Sequence, residues 1–300
     1  MISVIIPARN EEKNLAELLE DLRNQTYRKK FEIIVVDGKS KDRTREIARN
    51  YGCKVVIQKK LGPSNARNLG VKKSRGTILV FLDADYRVNR DFLREIEKAF
   101  RKREIKCATP TIIPLQKNWI QKALAIQTKL ATQRLGAEKF PKILRKHIFD
   151  EVGGWDEKLD FGEDRDFGMR VLREGYRTIL IRGAIAYVKL VDSPTKLFKQ
   201  GRWYGRTIFP YIRKTKDLPA LGGMLVYSSF IPLLILSAFL KAFLYLFLLD
   251  FFVLLSYSFA GFLSTRSPYA FLIMPVNIIR GFGEFVGMIE GILVKKRGKV

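Results

Sequence analysis

Asp83-Ala84-Asp85 stands at the end of an apolar run, Ile78 to Leu82, fit for a buried strand. A lone carboxylate is costly to bury, and two so close repel each other. Two carboxylates at i and i+2 can instead bind a divalent cation, directly or through water, and the cation can bridge to a diphosphate. A second acidic pair, Glu163-Asp164, follows Gly162 at the start of a helical pattern ending at Gly175. Acids there are favoured by the helix dipole, so capping is one role; a carboxylate kept ionised there is also placed to act as a general base. Just before it, Gly153-Gly154-Trp155-Asp156-Glu157 predicts a tight turn presenting Trp155 as an aromatic platform, on which sugar rings often stack.

The elements that must position these acids are legible as alternation. Strand-like runs at Ile2–Ile6, Glu32–Val36, Lys54–Ile57 and Thr77–Leu82 are separated by helical segments near Glu11–Arg23, Asp42–Tyr51 and Pro63–Ser74, with another following near Arg90–Lys102. Continuous β-branched runs between amphipathic helices predict an α/β fold whose mostly parallel sheet is covered on both faces. Ligands of such sheets bind at the carboxyl ends of the strands. Four polar stretches fall at those ends: "IIPARNEE", "VVDGKSKDRT", "LGPSNARNLG" and "LDAD". Taken singly, each has a plainer reading as a cap or turn. Gly38-Lys39-Ser40 is not a phosphate-binding P-loop, because Ile33 stands where that loop needs glycine. No G-x-G-x-x-G occurs, which argues against a dinucleotide site.

Composition sets the class. At 47% hydrophobic and 28% charged residues the chain is neither disordered nor uniformly apolar, and its net charge of +25 favours a polyanionic or phosphorylated partner. Two distant cysteines and one histidine give no basis for a zinc site. "MISVIIPARNEE" has too short an apolar run for a signal peptide, so the N-terminal part is expected in the cytoplasm. Past Leu218 the chain turns apolar. Leu221–Leu263 predicts two transmembrane helices, about 221–241 and 244–263, with the turn between Lys241 and Asp250. A third segment, about 269–294, carries Arg280, Glu284 and Glu290 and is expected to lie at the interface or in the membrane. Basic residues flank both sides, Arg213, Lys214 and Lys216 before and Lys295, Lys296, Arg297 and Lys299 after; the positive-inside rule puts both flanks in the cytoplasm. The expected domains are a catalytic one over 1–218, which includes a basic and aromatic juxtamembrane helix over about 193–216, and a membrane one over 219–300. Trp203, in that helix, suits headgroup depth or an acceptor contact.

In order and placement these motifs resemble the inverting glycosyltransferases of family 2, with the GT-A fold, over about residues 2–206. The resemblance implies that Pro7, Arg9, Glu11 and Asp37 line the base and ribose pocket, and that Arg67 lies near the base or diphosphate. It implies that Asp83 and Asp85 hold Mg²⁺ or Mn²⁺, Asp85 more directly, with Asp83 facing the ribose or a metal-bound water. Asp164 is then the catalytic base, with Glu163 beside it, and Trp155, Asp156 and Trp203 meet the acceptor. Processive members carry Q-x-x-R-W, whereas Gln200-Gly201-Arg202-Trp203 is one residue short, which implies single-sugar transfer. Arg202 or Arg206 is still placed to touch the diphosphate. The dolichol-phosphate sugar synthases are similar in the nucleotide half but do not generally show the "GGWDE…GED" constellation.

The expected activity is therefore metal-dependent inverting transfer of one sugar from a nucleotide-diphosphate sugar to a lipid or lipid-linked acceptor. The expected place is the cytoplasmic face of the cell membrane, in a multi-pass protein with no nucleic-acid partner. The alternatives are a dolichol- or polyprenyl-phosphate sugar synthase, a membrane-tethered basic module binding nucleic acid or anionic lipid, and a sugar nucleotidyltransferase. Acidic pairs at strand ends repel a polyanion, which weighs against the binding module; a nucleotidyltransferase has no use for the apolar segments.

Overall fold

The structure, a computed structural model, describes the chain apart from residues 136–139, 160, 239–240 and 298–300. The chain forms two compact units, Met1–Pro114 with Leu135–Lys189 and Leu115–Arg134 with Leu190–Val300.

The first unit opens on β1 (Ile2–Ala8), α1 (Glu12–Arg23), β2 (Phe31–Asp37), α2 (Thr44–Asn50), β3 (Lys54–Ile57), α3 (Pro63–Lys73) and β4 (Ile78–Phe81). β1 pairs parallel with β2 and β4, and β2 with β3. Alternate β1 residues serve opposite cores. Val4 and Ile6 pack with Leu15, Leu18, Leu19 and Leu22 of α1, whose spacing marks one helix face. Ile5 packs with Val71 of α3 and with Leu79 and Phe81 of β4. Each such fully buried side chain contributes roughly 1.5–3 kcal/mol. α3 approaches β1 so closely that a Cβ at Gly70 would collide with Ile5, which is why that turn of the helix carries glycine.

Beyond β4 the sheet changes character. β5 (Tyr86–Val88), α4 (Phe92–Phe100), β6 (Cys107–Leu115), β7 (Ile143–Arg145), α6 (Lys146–Val152), α7 (Glu163–Arg173) and β8 (Thr178–Lys189) complete the unit. The eight strands run in the order β3-β2-β1-β4-β7-β6-β8-β5. β4 pairs antiparallel with β7, β7 with β6, and β5 with β8. The parallel sheet expected from the alternation is thus its β3-β2-β1-β4 half, and the sheet as a whole is mixed. A short antiparallel strand needs no crossover helix, so β7 leaves no alternating signature.

The second unit is helical: α5 (Trp119–Leu135), α8 (Pro194–Thr215), α9 (Leu218–Ser237), α10 (Lys241–Thr265), a 3₁₀ turn (Pro268–Leu272) and α11 (Ile273–Arg297). The boundary expected near 218 falls near 190, because α8 belongs with the apolar helices. Gly201 and Gly205 of α8 lie against backbone carbonyls of Arg280 and Glu284 on α11, and Gly283 and Gly287 against those of Phe198 and Arg202; a Cβ at any of the four would collide. Such small-residue packing lets helix backbones touch. α10 runs unbroken through 241–250, where a turn was expected. Phe243–Thr265 and Pro268–Leu293 are long and apolar enough to cross a membrane, with mean hydropathies of 2.0 and 1.4, whereas Leu221–Ser237 is shorter. The segment expected to lie at the interface or in the membrane therefore has spanning length, and the first expected span, about 221–241, runs past α9 (Leu218–Ser237) into residues outside the described ones. On α10 Tyr245 is 72% exposed and Leu249 and Phe252 61% each, an outward apolar surface suited to lipid.

Candidate active site

The register of the parallel strands assembles the site. Ala8 pairs with Asp37 and Asp37 with Ile57, so β1, β2 and β3 end level. The Leu82 N–H still donates to Ile5 O at 3.1 Å, which sets Asp83 at the same rim. The loops after β1 and β2 are lashed together there: Asn10 N–H donates to Ser40 Oγ at 3.0 Å, and Lys41 N–H to Asn10 Oδ1 at 2.8 Å. Asn10 and Lys39 hold left-handed φ of 56° and 60°, uncommon for residues with a side chain and concentrated where a loop is shaped for function.

A 330 Å³ cleft opens on this rim, and Pro7, Arg9, Glu11, Asp83 and Asp85 all line it. Asp37 does not. Its carboxylate is fully buried, accepts from Ser40 N–H at 3.3 and 3.1 Å, and lies 3.8 Å from Arg45 Nε. In this conformation it shapes the loop beneath the cleft.

Beside the cleft, charge is concentrated and paired. Arg67, only 4% exposed on α3, lies 3.0 Å from Asp83 Oδ1, 3.1 Å from Glu163 Oε1 and 3.5 Å from Asp164 Oδ1. Lys142, just before β7, lies 2.7 Å from Asp164 Oδ2 and 3.9 Å from Asp83 Oδ2. Although burial opposes its charge, Asp164 is held well below the usual carboxylate range by Arg67 and Lys142. Glu163 moves the other way, raised by burial and then by Asp164. Arg67 and Lys142 are held above their ordinary values by these carboxylates, against the cost of burial.

Asp85 contrasts with Asp164. Among the described residues no cation lies within ion-pair distance of it; burial, then Asp83 and Glu11, push its carboxyl up to about 6, and the charge of Lys189 offsets only part of this. Among the described residues no three acidic, histidine or cysteine side chains converge as a self-sufficient metal site. A desolvated carboxylate with acidic neighbours and no ion-pair partner is nevertheless a donor set that a divalent cation could complete.

The "GGWDE" turn is built differently from its expectation. Gly153 and Gly154 take left-handed φ of 81° and 67°, which favour glycine. Asn68 of α3 then grips the turn, donating to Trp155 O at 2.8 Å and accepting from Trp155 N–H at 2.9 Å. Trp155 is 3% exposed, stacked on Phe167 at 4.1 Å and edge-on to Phe81 at 4.5 Å, so it forms no open platform. The apolar faces of these rings gain more from one another than from solvent. The indole Nε1–H donates to Asp164 Oδ1 at 3.3 Å, so Trp155 serves the site by orienting that carboxylate. Asp156 accepts from Lys158 N–H at 2.9 Å and closes the turn.

Arg202 and Trp203 belong to the helical unit. Arg202 and Arg206 both pair with Glu290, Arg202 Nε at 2.9 and 2.8 Å and Arg206 Nε at 2.5 Å. Trp203 is 45% exposed, with its ring 5.3 Å from that of Tyr204. Sequence reasoning missed Lys142 and the grip of Asn68. Asn68 lies inside a quoted motif but was read only as part of a helix start; Lys142 gains its meaning from an antiparallel pairing with no local signal.

A family model described as glycosyl transferase family 2 matches residues 3–155. The chain belongs to that family. Among relatives of the family, a dolichol-phosphate mannosyltransferase from Pyrococcus furiosus is 30% identical over 233 residues, 71% of this chain and 62% of the relative. The glycosyltransferase AglE from Haloferax volcanii is 43% identical over 91 residues, 28% of this chain and 30% of the relative. The chain thus spans less than two thirds of the length of both. Among solved structures, mannosyltransferase PcManGT from Pyrobaculum calidifontis, in complex with GDP-Man and Mn²⁺, superposes with a TM-score of 0.59 at 18% identity, over 94% of this chain and 86% of that one. Residues 1–349 of TarS from S. aureus, in complex with UDP, give a TM-score of 0.52 at 24% identity over 69% and 65% of the two chains. At these identities the likeness concerns the fold, which is GT-A.

Proposed function

We propose that this family 2 chain is a membrane-anchored, non-processive inverting glycosyltransferase. It moves one sugar from a nucleotide-diphosphate sugar to a lipid or lipid-linked acceptor at the cytoplasmic membrane face. The observation that carries this reading is the convergence of Asp83, Glu163 and Asp164 on buried Arg67 and half-buried Lys142 beside a cleft lined by Arg9, Glu11 and Asp85. Pro7, Arg9 and Glu11 would hold the nucleotide, with Asp37 fixing their neighbouring loop. Asp85, assisted by Asp83, would hold Mg²⁺ or Mn²⁺, which when bound supplies charge neutralisation for the departing diphosphate. Arg67 keeps Asp83 and the Glu163-Asp164 pair in fixed relation, a preorganisation that needs no rearrangement as charge develops. Asp164 would receive the proton of an acceptor hydroxyl. Asp156 would meet the acceptor.

The two helices of spanning length support membrane association. Two passes would return the chain to its starting side, in keeping with basic residues on both flanks. A second reading, transfer to polyprenyl phosphate, is favoured by the pairing of Asp164 with Arg67 and Lys142: a phosphate acceptor needs no deprotonation. The test is a thermal-shift screen of nucleotide sugars with and without Mn²⁺, followed by transfer assays on Asp164→Asn. The expected outcome is a Mn²⁺-dependent shift for one donor class, retained in a variant that no longer transfers. Wild-type turnover by Asp164→Asn refutes its role as base.

A further inference from the structure

A second concavity of the first unit, a 730 Å³ groove between α4 and β8, shares no lining residue with the cleft. One wall is α4 and the turn after it, where Glu95, Lys98 and Lys102 recur at the spacing of a single helix face. The other wall is β8 from its start to Gly183. The walls meet at Gly183, where a Cβ would collide with the Glu95 side chain. Arg145 pins the turn after α4, donating to Phe100 O, Lys102 O and Ile105 O at 2.8, 3.0 and 2.9 Å. The groove is therefore formed before anything enters it.

Two features of the walls point to a ligand. The first is charge. Lys98, Lys102, Arg177 and Arg182 line the groove and are exposed. Among the described residues none of these four side chains has a hydrogen bond or an ion pair. Their neighbours on the same helix do: Arg94 lies 2.9 Å from Asp91 Oδ2, and Arg101 lies 3.0 Å from Glu97 Oε2. The second feature is an open strand edge. β5 ends the sheet and pairs only with 186–188 of β8. Asn89 extends that cover a little, donating to Gly183 O at 3.0 Å and accepting from Ile185 N–H at 3.0 Å. Among the described residues no strand pairs with 178–182 on that side. Such an edge is a template on which another chain can pair.

We propose that this groove is a docking site for an extended acidic segment of a partner protein, which adds a strand to the free edge of β8 and sets its carboxylates among the four unpaired cations. The edge repeats backbone donors and acceptors that a peptide matches and that a lipid headgroup or a nucleic acid does not. Charge selects an acidic segment, and it disfavours edge-to-edge pairing with a second copy, whose own basic edge repels the first.

The test uses the full chain in detergent and a fluorescent peptide that alternates glutamate with valine, followed by anisotropy and by amide hydrogen exchange. The peptide is expected to bind, more weakly as salt rises, and to protect amides within 178–182. Lys98→Gln combined with Arg182→Gln should weaken binding about tenfold, as the loss of two exposed ion pairs would, with thermal unfolding as in wild type. The same peptide N-methylated along one edge keeps its charge but cannot build the ladder, and should not bind. Equal affinity for the methylated peptide overturns strand addition. Absence of binding by the parent peptide also overturns the proposal, and leaves the four cations as guards of the edge against self-pairing. Tighter binding at the same groove by oligoadenylate, phosphatidylglycerol micelles or inorganic phosphate overturns it in favour of a nucleic acid, a lipid surface or a free anion.

Discussion

Asp85 and Asp164 are both half-buried carboxylates of the first unit, one just past β4 and one in the first turn of α7, and their surroundings push them in opposite directions. Burial raises both. At Asp164 two cations and an indole N–H reverse that effect; at Asp85 two further acids add to it. One carboxylate is held ionised by the protein's own cations, and the other is not. The linkage signs differ accordingly. A carboxyl lowered in the fold contributes stability above its unfolded value, lost only as pH falls through the folded one. A carboxyl raised in the fold does the reverse: the contribution of Asp85 is full below its unfolded value and lost as pH rises through about 6.

The hardest blow to this contrast is Arg67→Met. It leaves Asp83, Glu163 and Asp164 beside one another with Lys142 as the remaining cation. Removing one partner of a buried ion pair typically costs about 3–5 kcal/mol. Denaturant unfolding should show a loss of that order at pH 7, and a loss below 1 kcal/mol would mean that the pairing is not what sets Asp164 apart. Asp85→Asn should act with the opposite sign. The amide resembles the protonated carboxyl, so metal-free protein should gain on the order of 1–3 kcal/mol at pH 8 and nothing near pH 4. The same variant should lose its Mn²⁺-dependent thermal shift with nucleotide sugar. A stabilised variant that keeps that shift would leave Asp85 without its metal role, and a variant no more stable than wild type at pH 8 would break the contrast.

How far this site could be read from the chain follows from where its contacts run. Ile2–Ile6, Glu32–Val36 and Ile78–Leu82 are continuous apolar runs, and the strands they form end at the motifs. Parallel strands buried on both faces write themselves as unbroken β-branched residues, so the half of the sheet that carries Asp85 was legible. The half that finishes Asp164 was not. β7 has three residues and takes its meaning from pairing with β4 and β6, partners distant in the chain. Trp155 follows two glycines and reads as an exposed turn, but Phe81, Phe149 and Phe167 come from three other elements to bury it. Helix ends failed for a related reason: an apolar helix has no polar face to mark its stop, so the turn expected between Lys241 and Asp250 falls inside α10.

Glu163 offers the finest test, because it lies between the two cases. Like Asp85 it is raised by burial and a neighbouring acid, yet like Asp164 it bonds Arg67, at 3.1 Å. Glu163→Gln removes one charge from three carboxylates that share Arg67, while the amide oxygen can still accept the guanidinium N–H. Relief of repulsion and loss of a charged hydrogen bond then nearly cancel, and the stability change should stay within about 1 kcal/mol. Less competition for Arg67 also leaves Asp164 more firmly ionised, so its titration, followed by NMR of the carboxyl carbon, should move to lower pH. A shift to higher pH would show that Glu163 supports Asp164 instead of competing with it, and the acid pair at the start of α7 would then act as one group.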